Sequence, residues 1–410
     1  MPFIFLRAAA LAAAMLPVLA VAEPLTLEQA LERAQLRSAA VRSARAGVAG
    51  AAEAARAAGQ LPDPMLGVSI ENLPITGPDR MSTTREGMTM KRIALAQEWV
   101  SPGKRRLRTA AAAAMTAREA AAVGATAAEA RLQTALAFID AYFAAEGLKL
   151  DTLNEGHARE AAAVARARLA TGGATAPDAL SFSSAQGVAA DEVAAARQQL
   201  AAASVNLARW TGAEADELAA PTLPAAPSEQ AFVDAHPVVV ARMRDIAVAT
   251  GEAAATAANR RPNWTWEVAF GQRAGASDLL SVGVTIPLPI AAPARQDRET
   301  AAKLALVDKA DAELEEATRI ARAEYRALMV DAQRLQERIR SYELAVLSIA
   351  SQRTAVTRAA LAANQASLPM VFEARLAEIE ARRKLLALHR DLARARAQLA
   401  LKPVNPEEQP

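Results

Sequence analysis

The chain contains no cysteine. That excludes disulfides, thiolate metal ligands and an acylated cysteine at a mature N-terminus. Aromatic residues make up only 4% of its 410 residues although 52% are apolar, so the apolar share is carried largely by alanine. Alanine buries little surface per residue, which argues against a thick globular core. Charge of one sign is also scarce: 47 Lys and Arg stand against 45 Asp and Glu, a net charge of +2, with the two signs interleaved. Nucleic acid is therefore disfavoured as a partner, because an electrostatic footprint needs a basic patch. Past residue 22 no stretch approaches the ~20 consecutive apolar residues of a membrane-spanning helix. A mature chain that crosses a membrane must then do so with strands. Glycine-rich phosphate loops, serine-centred elbows and HExxH helices are missing, so no catalytic residue and no cofactor is expected. No metal site is expected either, since His157, His236 and His389 are scattered singly.

What is present reads as long helices in close contact, given the density of Ala, Arg, Glu, Leu and Lys. Residues 1–22 have the pattern of a secretory signal peptide: Arg7, an apolar run from Ala8 to Val21 and the small-residue site Ala20-Val21-Ala22. A helix start at Leu25-Thr26-Leu27-Glu28-Gln29-Ala30 leads into helical composition up to Ala58, which Leu61-Pro62-Asp63-Pro64 stops. Strands are expected at about 65–74 and 88–100. The proline-free stretch 104–171 then predicts one helix spanning ~100 Å. A turn at 172–177 and a return helix to Gly212 complete a first repeat, residues 23–212.

A linker rich in Pro and Ala, 213–228, precedes a second repeat, 229–401, followed by a tail, 402–410. Its plan is the same: a helix over 229–260, strands at about 264–272 and 278–286, a long helix 294–363, a turn 364–369 and a return helix. The duplication is most legible at the turns. AVARARLATGGATAP at Ala163–Pro177 recurs as AVTRAALAANQASLP at Ala355–Pro369. Gly172 corresponds to Asn364 and Thr175 to Ser367. Gly and Asn enter the left-handed conformation that ends a helix, while Thr or Ser before Pro caps the next one. Within the second long helix, Ala321, Tyr325, Leu328, Ala332, Leu335, Ile339, Tyr342, Val346, Ile349, Arg353, Val356, Ala360 and Ala363 advance by steps of four and three. That period predicts a left-handed supercoil. A filamentous or cytosolic coiled coil would show the same seam, and the strands are what separate the two readings.

In the second strand pair Trp264, Trp266, Val268 and Phe270 share one face, and Val282 and Val284 alternate likewise in the partner strand. One apolar and one polar face suit a β-barrel wall between lipid and a wet lumen. Four strands cannot close around a useful lumen, because even eight give an interior that side chains nearly fill. Several chains must therefore contribute, which makes a homo-oligomer.

The order of these elements resembles the TolC family of outer-membrane channels: a duplicated helix–strand–strand–helix–turn–helix unit with LTLEQALERA at its front, proline where helix becomes strand, and Gly/Asn–Ser/Thr–Pro turns. The resemblance implies a mainly α protein with a small β part. It would be a homotrimer whose 12-stranded barrel sits in outer-membrane lipid and continues as a periplasmic α-helical barrel. It also implies work with a periplasmic adaptor and an inner-membrane RND pump. The segments LPDPMLGVSIENLP and GPDRMSTTREGMTMKRIALAQEW are similar to members associated with heavy-metal cation exporters. Met65, Met81, Met88 and Met90 nevertheless read as strand or loop packing. Many relatives carry an acylated cysteine where this chain has Glu23. The alternatives are the same duct serving drug efflux or type I protein secretion, and a soluble periplasmic coiled-coil adaptor or scaffold.

Two sets of tip residues follow from that placement. In a threefold assembly Asp178 and Glu373 would form acidic rings at the periplasmic mouth, or else complement the helix N-termini. Arg166 and Arg358 would bond between hairpins, or simply face solvent. Small exposed turn residues, Gly172, Gly173, Ala174, Thr175, Pro177, Asn364, Ala366, Ser367 and Pro369, would receive the adaptor. Lys104, Arg105, Arg106 and Arg108 fall near the barrel–helix junction, where they would meet lipid head groups or start the helix.

Overall fold

The computed structural model describes residues 24–404, so the expected signal peptide and residues 405–410 lie outside the described residues. Helix α1, Leu27–Arg37, opens on a capping box in which the Thr26 hydroxyl accepts from the Gln29 amide and the Gln29 side chain accepts from the Thr26 amide. Ser38 ends α1, and its hydroxyl accepts from the Val41 amide to start α2, Ala39–Ala58. The single helix expected from the sequence up to Ala58 is thus two, because a serine side chain can satisfy the amides that a new helix start leaves free. Strands β1, Met65–Glu71, and β2, Met90–Trp99, follow. Ser101 caps α3, Pro102–Ala170, whose 69 residues run about 100 Å. Helix α4, Ala176–Thr211, stops at Gly212, which takes a left-handed φ of 81°.

The linker returns against the N-terminus, where Leu25 and Leu218 form a parallel bridge. The helix expected over 229–260 is likewise interrupted: α5 is Glu229–Asp234 and α6 is Pro237–Ala257, with a 3-10 turn over Ala258–Arg260. Pro237 has no amide hydrogen to give the preceding turn, so the chain restarts there. Strands β3, Trp264–Arg273, and β4, Leu279–Thr285, lead to α7, Gln296–Tyr342. A π turn over Glu343–Leu347 joins α7 to α8, Ser348–Ala362, and α9, Leu368–Leu401, returns.

The π turn changes the seam. One extra residue per turn rotates everything beyond it by about 100°, one residue's share of an α-helix. Up to Tyr342 the expected seam is observed, with Ala321, Ala332 and Ile339 buried. Beyond it Thr354 is buried and Leu347, Ala350, Thr357 and Leu361 are half-buried, each one residue later than the expected seam, although Ala360 of that seam is half-buried as well. Ile349 and Val356, which the 3.5-residue period put in the seam, are 57% and 66% exposed. Thr354 holds the shifted register by donating to the Ala374 carbonyl of α9 at 3.1 Å.

Near the sheet α2, α3, α6 and α7 pack side by side in that order, and towards the turns α4 packs on α3, α3 on α9, and α9 on α8. Alanine and glycine permit the close approaches: a Cβ on Gly251 of α6 would lie 3.0 Å from the Ala111 Cα of α3. The best-filled core sits at mid-height, where Phe138 and Ile139 of α3 meet Leu25, Leu27 and Ala30, Leu207 of α4, and Ala397 and Leu401 of α9.

Candidate functional site

The four strands form one antiparallel sheet in the order β1-β2-β3-β4. Register decides which residues share a face. Val268 pairs with Leu95 and Val282, Trp266 with Val284, and Phe270 with Ile93 and Leu280. Val68 pairs in turn with Ile93, and Leu66 with Leu95. One continuous apolar face therefore crosses all four strands, and its members Leu66, Val68, Ile93, Phe270, Val282 and Val284 are all exposed. Trp264 packs on Trp99 with ring centroids 6.0 Å apart at the helix-proximal end, where a tryptophan suits a lipid head-group boundary.

The opposite face is polar or small. Arg92 there pairs with Glu71 at 3.4 Å and with Glu267 across the strand boundary, and Ala94, Ala269, Gly271 and Ser281 share it. Met90 lies over Gly271, whose missing side chain makes the room. Met90 is thus packing. Among the described residues no three His, Cys, Asp or Glu side chains come together as a metal site. Strands β1 and β4 are the outer members, and each presents an unpaired edge.

At the junction below the sheet, Lys104 is buried and donates to the Asn263 side chain at 2.9 Å, while Asn263 donates to Glu98 at 2.7 Å. Burial, with Arg108 nearby, lowers the Lys104 pKa. This lysine fastens the strand ends together and does not reach lipid; Arg106 and Arg108 are exposed.

The two turns lie at the far ends of the long helices. Gly172 has φ 75° and Asn364 φ 55°, so both turns use the left-handed residue that ends a helix. Their caps differ. Thr175 forms a capping box with Asp178, whereas Ser367 makes no side-chain cap bond. Asp178 accepts from the Thr175 hydroxyl at 2.7 Å, so its carboxylate serves the start of α4. Glu373 is exposed. Arg166 donates to the Ala162 carbonyl of its own helix at 3.2 Å. Gly172, Gly173, Thr175, Pro177, Asn364, Ser367 and Pro369 are exposed, and Ala174 and Ala366 are half-buried.

Contacts between the hairpins come from residues that the sequence did not single out. Phe182 of α4 and Phe372 of α9 meet edge to face at 5.5 Å, over Ala161, Ala162 and Ala165. Arg375 bonds Glu160 at 3.0 Å. Higher up, Arg383 of α9 reaches Asp151 of α3 at 2.6 Å and Glu192 of α4 at 2.5 Å. These partners are 191 to 232 residues apart in the chain, beyond any local spacing rule. Arg358 lines a cavity of about 170 Å³ together with His157, Thr354, Arg375 and Glu378.

Two histidines make the helical body sensitive to acid. Burial, then Arg375, lowers the His157 pKa, with Glu160 opposing; burial, then Lys402, lowers that of His236, with Glu324 opposing. Both stand below the ordinary value of 6.5, so the unfolded chain takes up protons first as pH falls. Stability is complete above that value and is lost progressively below it. The thermal midpoint is expected to drop between about pH 7 and pH 5. A His157→Gln, His236→Gln double variant should lose most of that dependence, and an unaltered slope would exclude both residues as its source.

The fold has solved counterparts. CusC, whose crystal structures concern folding and transmembrane channel formation, aligns with a TM-score of 0.74 at 16% identity over 92% of each chain. The outer membrane protein VceC of Vibrio cholerae aligns with 0.70 at 18% identity, over 90% of this chain and 96% of that one. The CmeC outer membrane channel of Campylobacter jejuni aligns with 0.75 at 13% identity, over 92% and 85%. No protein-family model and no curated protein matches the chain. The fold is that of outer-membrane channel proteins. More narrowly, it is the fold of the TolC family's channels. Among the described residues no helix is long and apolar enough to cross a membrane.

Proposed function

We propose that this protein is a homotrimeric outer-membrane exit duct, passive in itself, through which an inner-membrane RND pump and a periplasmic adaptor discharge their cargo. One observation carries the reading: a four-stranded sheet with one apolar exposed face, one polar face and two free edges. A free edge with an apolar face is a template for another strand. Pairing β4 of one copy with β1 of the next, three times, removes every edge and turns all apolar faces outward. A soluble coiled-coil scaffold has no use for such a face.

Heat-modifiable trimers in outer-membrane fractions, and ion conductance when they are inserted into planar bilayers, are the expected results. A freely soluble monomer would refute the duct. The proposed cargo is heavy-metal cations, a reading supported by the resemblance of the segments 61–74 and 77–99, which span β1, most of the connection after it, and β2. Host cells lacking the protein should then lose metal tolerance; loss of drug tolerance or of a secreted protein instead would select an alternative cargo.

The turns are proposed as the adaptor's landing site. At Gly172 an added Cβ meets nothing within 4 Å, but φ is 75°. Gly172→Val therefore strains the turn by about 1–3 kcal/mol without disturbing the core. Trimers should form at normal levels while transport falls several-fold, and full transport would remove the turn from the docking surface.

A further inference from the structure

Towards the turns, three helices bring positive charge to one cavity of about 170 Å³: His157 comes from α3, Arg358 from α8, and Arg375, Glu378 and Arg382 from α9. Spacings of three and four place the α9 residues on one side of that helix. On α8 the π turn decides the matter. It sets Thr354 against α9, and Arg358, one turn further on, lies on the same side. Thr354 is buried, His157 and Arg375 are half-buried, and Arg358 and Arg382 are exposed, so the cavity has a closed base and a charged rim.

Its charges do not balance. Arg382 pairs with Glu378 at 2.6 Å, and Arg375 reaches outward to Glu160 at 3.0 Å. Arg358 makes no hydrogen bond or ion pair among the described residues, and neither does His157. Other arginines of the same helical body are matched, Arg383 by Asp151 and Glu192, and Arg394 by Asp140. Like charges gathered in a partly water-excluded space repel more strongly than in bulk solvent, and no carboxylate offsets the third guanidinium. We propose that the cavity binds a small tetrahedral oxyanion, sulfate or inorganic phosphate, which ties α3, α8 and α9 together through Arg358 and Arg375.

Chemistry and size both select that class. A guanidinium is a planar fork of donors that fits an oxyanion by two bonds at once. The volume lies below the ~300–1,000 Å³ of sites for drug-sized molecules, and the sign of the lining repels metal cations, so the ligand is not the proposed cargo. Nor is it a head group of lipid around the sheet: His157 stands 55 residues beyond Pro102, ~80 Å along α3. Burial and then Arg375 lower the His157 pKa, Arg358 adds to them, and Glu160 and Glu378 oppose. A bound anion offsets both arginines, so the imidazole takes up its proton more readily and affinity rises as pH falls below the ordinary histidine value of 6.5.

The inference concerns a single chain and stands apart from the duct. Equilibrium dialysis of the full-length protein against labelled sulfate, at constant ionic strength in sodium chloride, reads the site directly. One saturable site per chain is expected, displaced by inorganic phosphate, and Arg358→Gln should weaken it at least tenfold. Arg353→Gln, at an exposed arginine of α8 outside the cavity, should bind as the parent does. Unsaturable uptake, or equal loss in the two variants, would overturn the site. Sulfate stabilises proteins in general by exclusion from their surface, so the thermal midpoint of both parent and Arg358→Gln should rise with it, by several degrees more in the parent; equal rises would count against binding. Between about pH 7 and pH 5 the parent's affinity should increase several-fold and that of His157→Gln should not. An increase that survives in His157→Gln would remove the histidine from the site.

Discussion

A chain carrying Val282→Arg is expected to fold its helices but to be lost from outer-membrane fractions. Val282 is 73% exposed on β4, between Leu280 and Val284 on the apolar face, and pairs with Val268. In the proposed barrel Val282 would face lipid, where an arginine near the midplane costs roughly 2–4 kcal/mol in each copy. Ser281→Arg is the matched control, one residue along the same strand but pointing to the polar face. There the guanidinium remains in water and the trimer should persist. Heat-modifiable trimer in washed membranes measures both variants, and equal yields would mean that the two faces have been assigned wrongly.

The second large effect belongs to the helical body. Phe138 is completely buried where α3 meets the N-terminal segment, Leu207 of α4, and Ala397 and Leu401 of α9. Its neighbours are mostly alanine and leucine held by long rigid helices, so a cavity left there cannot collapse easily. Phe138→Ala should cost about 3–5 kcal/mol, read as a lower midpoint of helix unfolding by circular dichroism in denaturant. Leu36→Ala, at an exposed position of α1, should stay within about 0.5 kcal/mol in the same assay. Comparable losses would show that Phe138 is not the centre of the core.

How much of this was legible in the sequence differs from element to element. Proline and glycine marked the strand boundaries and turns because they act locally, by removing an amide or permitting a positive φ. Alternation assigned Trp264, Trp266, Val268 and Phe270 to one face, since the strand period is two whatever the partner. The break at Ser38 was not legible, because a serine in an alanine-rich stretch is as compatible with continuation as with a cap; the break at His236 was signalled by Pro237, and the expectation of one helix over 229–260 read past it. The π turn was invisible as well. A seam of period 3.5 runs straight through Glu343–Leu347 in sequence, and only the Thr354 bond to Ala374 and the packing of α9 show that one residue is inserted. At the turns the repeat predicted two equivalent caps, yet only Thr175 uses its side chain.

By itself the sequence determined the helix–strand alternation, the duplication, the absence of disulfide and thiolate chemistry, and the two-faced strands. Each of these is a local property: the period of a strand, the φ of a glycine, the missing amide of a proline. The tertiary structure alone decided the strand order that leaves β1 and β4 as edges, the helix order that leaves α4 and α8 at the ends, and which side of α8 is free. Those depend on contacts between residues two hundred positions apart, such as Arg383 with Asp151 and Phe182 with Phe372. No local pattern encodes them, because many different partners would satisfy the same alanine-rich face.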